Sequence, residues 1–231
     1  RNDLRKAIGT LLHEHLADTY RRNEVKGPFS PASEPAGKRA LRNTALGYLA
    51  SRGRPEDVAR VAAHLAGARN ATDEVAALSI LSQVRSPERV KALDRFYEKW
   101  KDDHLVIDAW FAYQAASPLA SALATVKKLT SHPLFSIKNP NKVRALIGTF
   151  TSGNPVNFNR PDGKGYEFVA DRVLELDAFN PQIAARLLSA FRSWRALEPE
   201  RRRMAKKALQ RVARAKPLSH DAYEIVSKML E

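Results

Sequence analysis

No cysteine occurs in this chain, which excludes disulfides, thiol catalysis and thiolate-ligated zinc. Such a chain suits a reducing compartment, and a cytoplasmic location is expected. Long apolar runs are also missing: nothing approaches the roughly 18 consecutive apolar residues that span a bilayer. Asp3, Arg5 and Lys6 interrupt any signal-like run at the beginning. Methionine occurs only 2 times and does not open the chain, and residues 1–20 already read as helix, so a longer parent polypeptide is expected. Strand-type alternation is nearly absent. Asn70-Ala71-Thr72 fits the glycosylation pattern, which means little without an export signal.

Positive charge and helical periodicity are what the chain has in plenty. Its 39 Lys and Arg against 25 Asp and Glu give a formal charge of +14. That excess favours contact with something acidic, or is offset by an acidic neighbouring domain. Hydrophobic residues make up 44% of the 231 residues, enough for a sizeable core. They recur at helical spacing, as in Val58, Val61, Ala62 and Leu65, or Val90, Leu93, Phe96, Tyr97 and Trp100. A further stripe runs through Ile183, Leu187, Ala190, Phe191 and Trp194.

Ser86-Pro87, Ser117-Pro118, Asn139-Pro140 and Asn180-Pro181 each offer a side-chain oxygen to free amides, with proline where no intrahelical donor is needed. Ser219 reads as the cap of the last helix. The pattern predicts about eleven or twelve helices with one long connection over residues 151–165. Helices this short must stack to bury their apolar stripes. The expected fold is therefore all-α, a superhelical stack of antiparallel helices of armadillo or HEAT type, with residues 1–231 forming a single helical-repeat domain.

Candidate chemistry is sparse. In LLHEHLADTY, a metallopeptidase helix would need its second histidine at residue 17, which is Ala17. On a helix, His13 and His15 point about 200° apart, so neither a metal site nor a catalytic residue is expected there. His64, His104, His132 and His220 are scattered, and no Gly-x-Ser-x-Gly accompanies them. The irregular stretch TSGNPVNFNRPDGKGYEF lacks acidic calcium-loop spacing and a phosphate-loop pattern, and reads as a structural loop held by Phe158 and Tyr166.

Two basic features remain. Residues 186–214 carry ten Lys or Arg against two acids, Glu198 and Glu200, on a stretch with the apolar side Met204, Ala205, Ala208, Leu209 and Val212. A solvated face or a protein contact is the favoured reading. No nucleic-acid reading motif accompanies the run, so nucleic acid and membrane are disfavoured. Arg144 and Arg186 each border an apolar helical stripe. An arginine there either covers apolar surface with its stem or projects into a groove to pair with a carboxylate. Spacing alone favours the former.

The stretches RALRNTALGYLA (39–50), NATDEVAALSIL (70–81), FYEKWKDDHLVIDAWFAYQAASP (96–118) and HPLFSIKNPNKVRALIGTFTSGNPVNF (132–158) carry a resemblance. So do DGKGYEFVADRVLELDAFNPQIAARL (162–187) and LSHDAYEIVSKML (218–230). In this order they resemble the C-terminal helical domain of the bacterial aminopeptidase N family, the M1 alanyl aminopeptidases. The likeness runs over about residues 39–231, with the first 38 residues fitting more loosely.

The resemblance implies a helical wall closing over a thermolysin-like domain that holds zinc through His-Glu-x-x-His and a downstream Glu. Neither that motif nor the family's Gly-Ala-Met-Glu-Asn stretch occurs here. Family arginines facing the active-site side fall on Arg144, in NKVRALIGTF, and Arg186, in QIAARL. These become substrate-channel candidates that hold a peptide's carboxylate or line its route inward. The function so implied is non-catalytic: to wall the chamber and select short peptides, with zinc and bond-breaking supplied by other domains of the same polypeptide. The alternative is an independent helical adaptor that binds an acidic protein or nucleic acid through residues 186–214.

Overall fold

The structure, a computed structural model, describes residues 2–231. Every regular element among them is helical: fifteen α-helical segments, α1 to α15, one π turn and two 3-10 turns. The segments outnumber the eleven or twelve expected for physical reasons. Leu12 separates α1 (Asn2–Leu11) from α2 (His13–Arg22), and the stretch 151–165, read as a connection, contains the end of α10 and all of α11. The chain divides into two compact units, Arg1–Trp100 and Lys101–Glu231.

In the first unit, α3 (Ser33–Ala50) packs against α1, α2, α4 (Pro55–Gly67) and α5 (Ala71–Leu81), while α6 (Pro87–Trp100) packs on α4 and α5. Val58, Val61, Leu93 and Phe96 of the predicted stripes are buried, and Leu46, Leu49, Leu78 and Leu81, at most 1% exposed, complete the core. Val90 departs from its stripe and stays exposed. Gly9 lets α1 approach α3: a Cβ there would sit 2.2 Å from the Tyr48 carbonyl oxygen. The Ser51 hydroxyl donates to the Arg5 carbonyl 2.9 Å away and ties the same two helices.

The second unit begins with α7 (Val106–Ala115), which packs on α8 (Ala122–Leu129) and on a continuous helical stretch. That stretch runs through α9 (Pro140–Val143), the π turn (Arg144–Gly148) and α10 (Thr149–Gly153). After α11 (Pro155–Phe158) come α12 (Lys164–Asp177) and α13 (Pro181–Leu188), packed together, then α14 (Pro199–Ala213) and α15 (His220–Leu230). Phe111, Phe150, Val169, Leu188 and Leu209 are fully buried there.

The capping logic holds at most boundaries. Asn139 accepts from the amides of Asn141 and Lys142, Asn180 from Ile183, Ser219 from Ala222, and Ser86 from Arg89. Ser117 does not cap, since α8 starts only at Ala122 and its hydroxyl is buried without a partner. Its carbonyl instead accepts from the side-chain amide of Asn154 at 2.7 Å.

The same Asn154 donates to the Ala115 carbonyl at 2.8 Å and accepts from Asn157, which is why so polar a stretch can be buried. Phe158 and Tyr166 meet edge-to-face with ring centres 5.3 Å apart, so the expected aromatic tie is present. Burial pushes the Tyr166 phenol up to about 12, and its hydroxyl donates to Asn159 at 3.0 Å.

Candidate functional site

Arg144 and Arg186 lie 42 positions apart in sequence, yet both line one concavity of about 460 Å3 in the second unit. Arg144 opens the π turn, where the Thr149 amide bonds back to the Arg144 carbonyl, five residues earlier. Such turns widen a helix locally and frequently mark functional positions. The Arg144 guanidinium is exposed and donates to the Asn141 side-chain oxygen, leaving most of its five N–H donors available. Arg186 lies in the last turn of α13, exposed, one turn after Ile183 on the same face. No hydrogen bond or ion pair engages its guanidinium among the described residues.

The remaining lining is apolar or hydroxylic. Val143, Ile183 and Leu187 supply an apolar floor. The hydroxyls of Thr151 and Ser152 both donate to the Gly148 carbonyl at 2.8 Å, so their protons are already committed. Neither a carboxylate nor an imidazole lines the concavity. It therefore offers two cations to an anionic group and holds no side chain suited to general acid–base work.

The other predicted features fall elsewhere. His13 is half-buried and His15 exposed on α2. Among the described residues no group of three or more His, Asp or Glu is placed to hold a metal ion. His132 accepts the Leu134 amide through Nδ1, and burial pulls its imidazole below the usual range.

On α14, Ala205, Ala208, Leu209 and Val212 are buried as expected, and much of the basic face is occupied. Arg201 donates to the Asn159 carbonyl at 2.6 Å, Arg202 to the Leu197 carbonyl, Arg203 to Glu200, and Arg211 to Asp171. No helix among the described residues is long and apolar enough to cross a membrane.

A larger concavity, about 570 Å3, lies in the first unit and contains none of the sequence-predicted channel residues. Its lining comes from positions 20–73, dispersed over α2, α3, α4 and the start of α5, so no local motif announces it.

Short helices stacked in pairs, each burying one stripe, define a helical-repeat protein. The chain as a whole, residues 1–231, matches the family described as "Domain of unknown function (DUF3458_C) ARM repeats", and it belongs to that family. It is 39% identical over 230 residues to aminopeptidase N of Caulobacter vibrioides, covering 98% of this chain and 27% of that protein. Against aminopeptidase N of Escherichia coli it is 34% identical over 230 residues, covering 100% of this chain and 26% of that protein. Aminopeptidase A of Legionella pneumophila, solved in complex with aspartic acid, is similar with a TM-score of 0.87. That match is 29% identical and covers 98% of this chain and 27% of the other. The chain thus spans about a quarter of the length of these curated relatives.

Proposed function

We propose that this chain is the non-catalytic C-terminal domain of a zinc-dependent M1 aminopeptidase, walling the chamber where short peptides are held while N-terminal amino acids are removed. Residues 1–231 act in this reading as one family domain, zinc belongs to a catalytic domain elsewhere in the parent polypeptide, and the location is cytoplasmic. The observation that carries the proposal is the pairing of Arg144 and Arg186 on one carboxylate-free concavity. In a chain similar over nearly its full length to aminopeptidases, such a pairing suits the terminal carboxylate of a peptide. The relative solved with an amino acid bound fits the same ligand class.

The chain's own residues would then bind and orient, while zinc, held by the other domain, would supply the activated water. Binding a substrate's remote end raises kcat/KM when the contact persists in the transition state. The test uses the full-length enzyme with Arg144→Ala and Arg186→Ala. A charge-assisted contact of about 1.5–3 kcal/mol predicts a loss of roughly ten- to hundredfold in kcat/KM for short peptides with a free carboxyl end. The amidated peptides should change little. Equal losses on both series would remove the proposed role. The 231-residue chain alone, mixed with zinc and an aminoacyl-anilide, should show no turnover above control.

A further inference from the structure

The concavity of the first unit is built for negative charge. Arg39, Arg42, Arg60 and Arg69 line it together with Lys26, against only two carboxylates, Glu24 and Asp73. Those carboxylates are mostly spoken for. Asp73 accepts from the side-chain amides of Asn43 at 3.0 Å and Asn70 at 2.8 Å, while Glu24 faces Arg42 at 3.3 Å. Arg60 is held by Asp57, which also takes Arg52.

Arg39 has no carboxylate at all. It is 5% exposed, donates to the Ser30 carbonyl at 2.8 Å and lies over the Phe29 ring. Its Nε, like that of Arg42, is buried without a hydrogen-bond acceptor. His64, 8% exposed, completes this set: Tyr20 meets its Nδ1 at 3.0 Å, and its Nε2 is also unpartnered, with Asp73 too far at 3.8 Å. Arg69, exposed at the rim, has no acceptor among the described residues.

Five cationic side chains around one cavity, against two carboxylates already engaged, call for a multivalent acceptor. We propose that this concavity is a binding site for a small organic anion bearing at least two carboxylate or phosphate groups, held by Arg39, Arg42 and Arg69 with His64 at its wall. The volume of about 570 Å3 exceeds what a single inorganic ion needs and lies in the range of small-molecule sites. Buried Arg39 and His64 set the orientation, and Arg69 closes the open side. The site is separate from Arg144 and Arg186 and does not depend on the aminopeptidase reading.

Calorimetric titration of the 231-residue chain at low salt with citrate, and separately with inorganic phosphate, tests this. Saturable citrate binding with a Kd of about 1 mM or tighter is expected. It should be weakened at least tenfold by Arg69→Gln, whose exposed position leaves the fold intact, and by Arg39→Met. Arg203→Gln, on the exposed face of α14, should leave it unchanged. The imidazole resonance that disappears in His64→Gln should move as citrate saturates. Binding of citrate without phosphate supports the need for two spaced anionic groups, whereas phosphate binding as tight as citrate with the same variant dependence would overturn it. Absence of saturable binding by either probe, or binding unaffected by both cavity variants, would overturn the proposal.

Discussion

Asp57 has no exposed surface, yet it holds Arg52 at 2.6 Å and Arg60 at 3.1 Å. Lys142 is similar: 4% exposed, it bonds Asp108 at 2.6 Å and the His104 carbonyl at 3.0 Å. Removing one member of such a pair strands the other charge away from water, which costs about 3–5 kcal/mol. Asp108→Asn, which strands the buried Lys142, is therefore expected to destabilise by roughly that amount in urea unfolding, and a shift under about 1 kcal/mol would contradict the burial. Asp57→Asn should cost less, because Arg52 keeps Glu56 at 3.1 Å and Arg60 reaches solvent.

Histidines give the residue scale its pH dependence. Burial holds the His64 imidazole below its ordinary 6.5, helped by Arg42 and opposed by Asp73, and burial does the same to His132. The unfolded chain then takes up protons that the folded chain refuses as pH falls through 6.5, so stability is lost on acidification below that value. The melting temperature is expected to fall between pH 7 and 5.5, with a smaller fall in His64→Gln. A flat or rising profile would contradict the sign.

At the scale of elements, caps and close approaches decide where helices begin. Asn180→Ala removes the acceptor for the Ile183 amide at 3.2 Å and should cost about 1 kcal/mol, read from denaturant midpoints. Gly165→Ala should cost considerably more, because a Cβ there would lie 2.2 Å from the Phe158 carbonyl oxygen. Such features were unequally legible in the sequence. The Asn-Pro and Ser-Pro signals marked real helix starts because a cap is a local contract between a side chain and amides two or three residues on.

Ser117-Pro118 carried the same signal and failed, since Asn154 and Asn157 compete for its carbonyl from about 40 positions away. The helical turn at Pro155–Phe158 reads in the sequence as part of a connection although Asn154-Pro155 carries the same local signal: the Asn154 side chain accepts from the Asn157 amide, and both asparagines are buried against the α7–α8 connection. The π turn at Arg144–Gly148 leaves no mark in an ordinary apolar stripe. Flanking hydrophobicity alone favours a covering role for Arg144 and Arg186; the resemblance singles them out, and their sharing one concavity depends on how the π turn and α13 are placed in the second unit.

At the scale of the molecule, the two concavities show how helix stacking makes sites without motifs. Each draws residues from segments far apart in sequence, and each collects arginine. The charge of +14 is correspondingly uneven in meaning. On α14 the arginines are largely spent on carbonyls and carboxylates, which weakens the adaptor reading, whereas Arg186 and Arg69 retain their donors. An arm of acidic protein or nucleic acid drawn to α14 should therefore bind weakly and dissociate steeply with salt.

The central claim is that Arg144 and Arg186 act together on one carboxylate. A double-mutant cycle in the full-length enzyme tests it most directly, reading kcat/KM for a free-carboxyl peptide relative to its amide. If each single alanine variant reduces that ratio about tenfold, the double variant should fall well short of the roughly hundredfold product, because both side chains serve the same group. A ratio unchanged in all three variants, or losses that multiply fully, would contradict it.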